Sequence, residues 1–257
     1  MPHFAANLTM MFNEWEFLDR FAAAADAGFD AVEFLFPYDH ASELIADRLR
    51  SNRLTPALFN LPPGNWAAGE RGMASLPGRE AEFGASVSTA LAYAQATGVK
   101  RLHVMSGLAD RKDPTALARY RDALAFACAA AAKQNIDIVI EPINRRDMPG
   151  YFLNDFDFAA ALIRDMALPN LKLQYDIYHR QILHGDVMKS VETLMPIIGH
   201  IQIAAVPLRH EPFSGELDDG RVLKYLDTLG YSGFVGLEYR PLKSTLAGLS
   251  WRTNLAG

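Results

Sequence analysis

The chain has 257 residues, half of them hydrophobic, and a formal net charge of −5. This charge gives no global basic footprint for nucleic acid, and no apolar run reaches the roughly 18 residues of a membrane span. The first residues lack a basic cluster before an apolar stretch, so we expect no secretory signal. The single cysteine, Cys128, cannot form an internal disulfide, and we expect a structural thiol in a cytoplasmic protein.

Eight short apolar segments are predicted to be β-strands. Several of them are continuously apolar rather than alternating, which is typical of strands that are buried on both faces of a sheet. The predicted strands are residues 4–8, 31–36, 56–60, 101–105, 137–142, 171–176, 200–205 and 234–239.

Segments with helical periodicity separate these strands. One of them begins with Asp113 as a predicted N-cap and Pro114 at the first helical position, where proline is favoured. Another ends at residue 166 after a cap at Asn154 or Asp155. The remaining predicted helices are residues 14–27, 41–50, 80–97, 186–196 and 221–229, and the helix after Asp113 is predicted to end at residue 133.

This order of elements predicts the fold. Eight strands, each followed by a helix or a helix-like segment, define a (β/α)8 TIM barrel, which we expect to span residues 1–257 as a single domain. A doubly wound sheet is the competing fold, but no GxGxxG sequence follows the first strand. In such a barrel the catalytic groups lie at the C-terminal ends of the strands.

The fifth to eighth predicted strands each carry a polar side chain near their C-terminal end, namely Glu141, Asp176, Gln202 and Glu238. A single residue of this kind could be a helix cap or an ion-pair partner. On four neighbouring strands, however, they would converge, and three carboxylates cannot all be ionised in one small volume without a cation. Carboxylate and amide oxygens suit Mg²⁺ or Mn²⁺, so we predict a divalent metal site here.

Other polar residues are predicted to lie in loops at the same end of the barrel. His179 follows strand six closely and could face the metal site from the loop, although a lone histidine is more often structural. Arg209 and Glu211 lie in a polar loop after strand seven, which suits either substrate binding or an exposed charged turn. His103 and His200 lie inside strands and are predicted to be packing residues.

The longest irregular segment is residues 61–79, and a long loop inside a compact domain is often functional. Trp66 in this loop could close over the site and exclude water, or it could simply pack. Arg71 in the same loop is a candidate cation for the carboxylate of a substrate.

The chain resembles the hydroxypyruvate isomerase family, a branch of the xylose-isomerase-like TIM barrels, from end to end. The similarity is carried jointly by FAANLTMMF, VEFLFPYD, FNLPPGNWAAGERG, LPGREAEF, IEPIN, LQYDIYH, HIQIA, HEPFSGELD and GLEYRP. It implies that the four strand-end residues bind a divalent metal, Mg²⁺ first and Mn²⁺ as the alternative, with no nucleotide cofactor. It also implies that Glu141 and Glu238 form the acid/base pair, and that His179 and Arg209 bind the substrate.

The implied reaction is an aldose–ketose isomerisation of a small hydroxy-carbonyl acid through an enediolate. The first expected substrate is hydroxypyruvate, converted to 2-hydroxy-3-oxopropanoate. The segment AAVPLRHEP after strand seven is similar instead to the sister group that acts on 2-oxo-tetronate, which is the alternative substrate. We expect a small-molecule substrate as partner, with neither nucleic acid nor membrane, and leave a homo-oligomer open.

Three more distant functions remain as alternatives. An abasic-site endonuclease of the same barrel type would need a histidine-rich trinuclear zinc cluster and a basic groove. A ketose 3-epimerase would differ only in which carbon is reprotonated. A non-catalytic binder of sugar acids has no need to keep both Glu141 and Glu238.

Overall fold

Eight parallel strands form a closed barrel in the computed structural model, which describes residues 2–255 apart from the side chains of residues 253 and 254. Each strand pairs with the next strand along the chain, and the eighth pairs with the first. The predicted (β/α)8 fold is therefore confirmed. The strands are β1 (His3–Asn7), β2 (Ala31–Phe34), β3 (Thr55–Asn60), β4 (Arg101–His103), β5 (Asp137–Ile140), β6 (Leu171–Asp176), β7 (Ile198–Ile203) and β8 (Phe234–Leu237).

Some strands end earlier than the apolar pattern predicts. β4 ends at His103, but Val104 and Met105 continue the apolar run because they are buried in the following loop. β5 ends at Ile140, so Glu141 lies one residue beyond the last paired position. Buried residues thus continue beyond the last paired residue of a strand. An apolar run in the sequence shows that residues are buried, but it does not show where strand pairing ends.

Helices surround the barrel, with short 3-10 turns between some of them, and among the described residues the helices at 177–183 and 245–248 were not predicted. They are α1 (Arg20–Asp26), α2 (Ser42–Ser51), α3 (Glu80–Thr97), α4 (Pro114–Ala132), α5 (Phe156–Met166), α6 (Ile177–Leu183), α7 (Val187–Leu194), α8 (Asp219–Thr228) and α9 (Thr245–Gly248). Within residues 2–255, none of them combines the length and the apolar character that crossing a membrane requires.

Two of the helix N-caps were predicted from the sequence, whereas the start of one helix was not. Asp113 caps α4 by accepting a hydrogen bond from the backbone N–H of Thr115, and Asp155 caps α5. α6 was not predicted, because it begins immediately after β6 with Asp176 as its N-cap. The prediction that His179 lies in a loop is therefore wrong, because the residue lies in this helix.

The long loop of residues 61–79 is held against the barrel at two points. Gly72 forms a bridge with Ser106, and a Cβ atom at position 72 would lie only 2.4 Å from the carbonyl oxygen of Met105. Its φ of 101° is also a conformation that glycine tolerates best. Further along the loop, Ser75 donates to the carbonyl oxygen of Ser106 from its backbone N–H at 2.8 Å and from its hydroxyl at 2.7 Å. These contacts fix the loop close to the C-terminal ends of the strands.

Candidate active site at the C-terminal strand ends

The four polar residues predicted at the strand ends lie together in the structure. Asp176 pairs with Gln202 across β6 and β7, and Gln202 pairs with Gly236 across β7 and β8. Because side chains two residues apart in a strand point to the same face, Glu238 follows Gly236 on the face that meets Gln202. All four side chains are buried. The sheet register thus gathers Glu141, Asp176, Gln202 and Glu238 at one end of the barrel.

Three of these residues, together with His179, have the geometry to surround a metal ion. One ligand atom from each of Glu141, Asp176, His179 and Glu238 lies within 4.8 Å of all the others. Glu141 Oε1 and Asp176 Oδ2 are buried without a hydrogen-bond partner among the described residues. Buried carboxylate oxygens need a proton, a donor or a cation. The two oxygens therefore fit a bound divalent ion.

Mutual repulsion and burial make these carboxylates hard to ionise. Burial and the charges of Glu238 and Asp176 raise the pKa of Glu141 well above its ordinary value. Burial also raises the pKa of Glu238 to about 8 and that of Asp176 to about 6, although Arg209 opposes both shifts. Without a further cation the group therefore retains protons near neutral pH.

We expect the metal-free protein to lose thermal stability as the pH rises from about 4, where the carboxyl groups of the unfolded chain ionise, to about 8, the folded pKa of Glu238. A carboxyl group whose folded pKa exceeds its unfolded pKa binds more protons in the folded state, so the free energy of unfolding falls through that window. Melting curves in a chelator would measure this, with Glu238→Gln as the variant in which the pH dependence is reduced. A melting temperature that rises over this range would contradict the expectation.

A buried arginine partly neutralises the acidic group. Arg209, in the loop after β7, places Nη2 2.6 Å from Glu238 Oε2 and 3.5 Å from Asp176 Oδ2. Its Nη1 lies 3.6 Å from Asp147 Oδ2, and its guanidinium lies over the ring of Tyr178. Burial alone would lower the pKa of Arg209, but the surrounding carboxylates raise it above its ordinary value. Arg209 thus lies in a turn with exposed neighbours, but its side chain reaches into the acidic group instead of into solvent.

His179 faces the same group with a defined nitrogen. Oδ1 of Asn144 accepts from the backbone N–H groups of Arg146 and Asp147, which turns Nδ2 of Asn144 towards the histidine. Nδ1 of His179 therefore accepts, both from this amide and from the backbone N–H of Asn144. Burial and Arg209 lower the pKa of His179, so the neutral ring carries its proton on Nε2.

That assignment decides what His179 can do. Its Nε2 lies 3.6 Å from Glu141 Oε1 and 3.5 Å from Asp176 Oδ2. A protonated ring nitrogen donates hydrogen bonds and cannot ligate a metal. His179 therefore suits a donor to the substrate rather than a metal ligand.

A cavity of about 630 Å³ opens onto these residues. Arg71 lines it from the long loop, and the guanidinium of Arg71 stacks 3.9 Å from the ring of Trp66. Nη1 of Arg71 donates to the backbone carbonyls of Trp66 and Glu70. Within residues 2–255, no carboxylate pairs with Arg71. Arg71 is thus held at the cavity by its own loop and has no acidic partner among the described residues.

Glu211 is the predicted substrate residue that the structure does not bring into this cavity. Its carboxylate accepts hydrogen bonds from the backbone N–H of Leu242, at 3.0 and 3.2 Å, and it borders a different cavity of about 360 Å³. These contacts join the loop after β7 to the segment after β8. Glu211 therefore connects two loops at the edge of the site.

Several functional-site residues were missed or assigned to packing. His103 lines the cavity; among the described residues its ring nitrogens make no hydrogen bond, Nδ1 lies 3.9 Å from Glu141 Oε2, and burial lowers its pKa to about 3. His200 bonds to Glu33, a carboxylate inside β2. A signal was available for His200, because it lies two residues before Gln202 and therefore on the same strand face. Asp147, which also lines the cavity, carried no such signal.

Known proteins of related sequence and structure agree with this architecture. Residues 21–255 match the family model described as xylose isomerase-like TIM barrel. A 2-oxo-tetronate isomerase of Cupriavidus necator is 56% identical, over 98% of this chain and 97% of that protein. The hydroxypyruvate isomerase of Escherichia coli is 43% identical over 98% of both. A crystal structure from Brucella melitensis, described as an AP endonuclease of family 2, has a TM-score of 0.96 at 46% identity and 99% coverage of both chains.

The closed barrel and the buried acidic group at its C-terminal strand ends define a barrel enzyme. The chain belongs to the xylose isomerase-like TIM barrel family. Its relatives from C. necator and E. coli are isomerases, and this chain is an isomerase as well.

Proposed function

We propose that the chain is a divalent-metal-dependent isomerase of small 2-oxo hydroxy acids, with 2-oxo-tetronate as its first candidate substrate. The observation that carries the proposal is that carboxylate oxygens of Glu141, Asp176 and Glu238 lie within 4.8 Å of one another, with His179 beside them. A site of this kind serves proton transfer next to a carbonyl group, which is the chemistry of an aldose–ketose isomerase.

The order of the two candidate substrates follows from the relatives. The sequence motifs place hydroxypyruvate first, but the 2-oxo-tetronate isomerase of C. necator is 56% identical and the hydroxypyruvate isomerase of E. coli 43%. The segment of residues 206–212 also resembles the 2-oxo-tetronate group. We therefore place 2-oxo-tetronate first and hydroxypyruvate second.

Glu141, Asp176, Gln202 and Glu238 would hold the metal. Three carboxylates and one amide oxygen form a hard ligand set, which favours Mg²⁺ first and Mn²⁺ second. When bound, such an ion polarises the carbonyl of the substrate and stabilises developing negative charge. The residues fit this ion because Glu141 Oε1 and Asp176 Oδ2 are buried and accept no hydrogen bond among the described residues.

Glu141 and Glu238 would exchange the carbon-bound proton. One carboxylate would remove the proton beside the carbonyl, and the resulting carboxylic acid would return it to the neighbouring carbon of the planar enediolate, while the hydroxyl proton shifts to the former carbonyl oxygen. His179 would donate from Nε2 to a substrate oxygen, and Arg209 would add positive charge on the Glu238 side.

Arg71 would bind the carboxylate of the substrate. Its guanidinium is already oriented by Trp66 and lines the cavity without an acidic partner among the described residues. A planar guanidinium suits a carboxylate because it can donate two parallel hydrogen bonds. The stacked Trp66 would at the same time cover this end of the cavity.

Replacing Arg71 with methionine should raise KM by about 10- to 100-fold and change kcat far less, since the lost contact is the same in ground and transition states. Arg71→Lys keeps the charge but loses the planar fork, so we expect an intermediate KM. Steady-state kinetics on both candidate substrates would measure the effect. An unchanged KM in Arg71→Met would exclude Arg71 from carboxylate binding.

Endonuclease activity is the alternative raised by the description of the B. melitensis structure. The described residues form one group of three or more possible metal ligands, and it contains a single histidine. A histidine-rich trinuclear zinc cluster therefore has no counterpart in residues 2–255. Incubation with abasic-site DNA in the presence of zinc is expected to leave the strand intact.

The decisive experiment is a side-by-side assay of 2-oxo-tetronate and hydroxypyruvate with added Mg²⁺. We expect turnover of both with a higher kcat/KM for 2-oxo-tetronate, and loss of turnover in a chelator. NMR of the product separates isomerisation from 3-epimerisation of a ketose. Full activity in the chelator would contradict the metal dependence.

A further inference from the structure

A carboxylate inside the barrel plays no part in the reaction proposed above. Glu33, in β2, is 1% exposed. Its Oε1 accepts hydrogen bonds from Asn7 Nδ2 at 3.0 Å and from Gln202 Nε2 at 2.7 Å. Its Oε2 accepts from His200 Nε2 at 2.6 Å. Three donors from two other strands, β1 and β7, thus fix one buried carboxylate.

The barrel wall leaves space for this carboxylate. Gly236 in β8 lies beside Gln202 in the sheet, and a Cβ atom at position 236 would lie 2.2 Å from Glu33 Oε2. Glu33 could not move aside without breaking the hydrogen bonds that hold it. The glycine therefore permits the carboxylate to occupy its position beneath the strand ends.

Glu33 determines how the amide of Gln202 is turned. The two ends of an amide have nearly the same size but opposite hydrogen-bonding character, and a carboxylate can only accept. Glu33 therefore takes the NH₂ end of Gln202. The oxygen end accepts one hydrogen bond from Gln174 Nε2 at 2.6 Å, and a carbonyl oxygen has a second lone pair.

We propose that Glu33 is a positioning residue that holds Gln202 with its amide oxygen available as a metal ligand. This inference rests on the proposed function, since it takes Gln202 to be one of the ligands. Without Glu33 the amide can rotate and present its NH₂ group to the cation, which is repulsive. Groups that hydrogen-bond to metal ligands commonly change metal affinity by about 10- to 100-fold.

The test measures Mn²⁺ affinity of the purified full-length chain by titration calorimetry and electron paramagnetic resonance, so that it does not depend on turnover. Glu33→Gln should weaken Mn²⁺ binding by about 10- to 100-fold. Glu33→Asp keeps the charge but shortens the side chain, so that it no longer reaches Gln202. A similar loss of affinity is therefore expected in Glu33→Asp.

A double-mutant cycle separates positioning from charge. In the Gln202→Leu background, Glu33→Gln should change Mn²⁺ affinity by no more than about twofold, because the group on which Glu33 acts is gone. A through-space effect of the lost charge would persist in that background and would overturn the inference. Asp219→Asn is the matched control, since Asp219 is equally buried but lies at the start of α8 and bonds to Phe213 N, and it should leave the affinity unchanged.

The same cycle distinguishes failure of the inference from failure of the proposed site. If Gln202→Leu alone leaves Mn²⁺ affinity unchanged, Gln202 is not a ligand, and the proposed ligand set fails together with the inference. If Gln202→Leu weakens binding but neither Glu33 variant does, the ligand set stands and the inference alone is overturned. Should Glu33→Gln fail to fold, Glu33→Asp carries the test.

Discussion

Glu141→Gln and Glu238→Gln are each expected to lower kcat by about 10²- to 10⁴-fold, the usual contribution of a positioned general acid or base. Glutamine keeps the size of the side chain and a neutral oxygen ligand, but it cannot exchange a proton with carbon. Both glutamates are buried next to Asp176, and their pKa values are raised. The measurement is single-turnover kinetics with saturating Mg²⁺, which separates the chemical step from substrate binding.

The fold should survive these substitutions. Replacing one of several crowded carboxylates removes like-charge repulsion, so the metal-free variants should melt no lower than the unmodified protein. Asp137→Asn provides a matched control, because Asp137 begins β5 at the opposite end of the strand that leads to Glu141. It should retain full activity. Near-normal turnover in both glutamate variants would exclude the proton-transfer role.

The strand-end residues could be predicted because their signal is local. Glu141, Asp176, Gln202 and Glu238 each lie at or near the end of an apolar run, and the barrel rule places such ends together. The register then follows from strand pairing, as the pairing of Asp176 with Gln202 shows.

Glu33 shows what the sequence could not reveal. It lies inside the apolar run AVEFLF, and its partners Asn7 and Gln202 are 26 and 169 residues away in the chain. Only closure of the barrel brings β1, β2 and β7 around one point. Glu211 differs in the opposite sense, since a polar loop predicted a substrate residue and the structure shows its carboxylate accepting a hydrogen bond from the backbone N–H of Leu242.

Helix α6, which lies next to the site, could not be predicted from the sequence either. Asp176 is both a predicted ligand and the N-cap of α6, where its Oδ1 accepts from Tyr178 N. Because α6 begins directly after β6, no loop residues separate the two elements, and the sequence pattern does not show where the helix begins. The same arrangement directs His179 back towards Asp176, which gives the site a histidine from the first turn of the helix.

Arg209→Gln is expected to change turnover and metal affinity in opposite directions. Arg209 Nη2 lies 2.6 Å from Glu238 Oε2 and 3.5 Å from Asp176 Oδ2, so it adds positive charge where a divalent ion would be bound. Removing that charge should tighten Mn²⁺ binding by roughly tenfold, since charges at such distances repel strongly in a buried site. The same substitution removes a fixed positive group beside the reacting oxygens, which should lower kcat/KM by about 10²- to 10³-fold.

Arg209→Lys tests whether charge or shape is responsible. Lysine keeps the positive charge, so Mn²⁺ affinity should stay near that of the unmodified protein. It lacks the planar fork that reaches Glu238 and Asp147 together, so kcat/KM should still fall. Calorimetric Mn²⁺ titrations and steady-state kinetics on the same preparations would compare the two variants. Weaker Mn²⁺ binding in Arg209→Gln would mean that Arg209 assembles the ligand group instead of opposing the cation, and the assignment of Arg209 to the substrate would then be wrong.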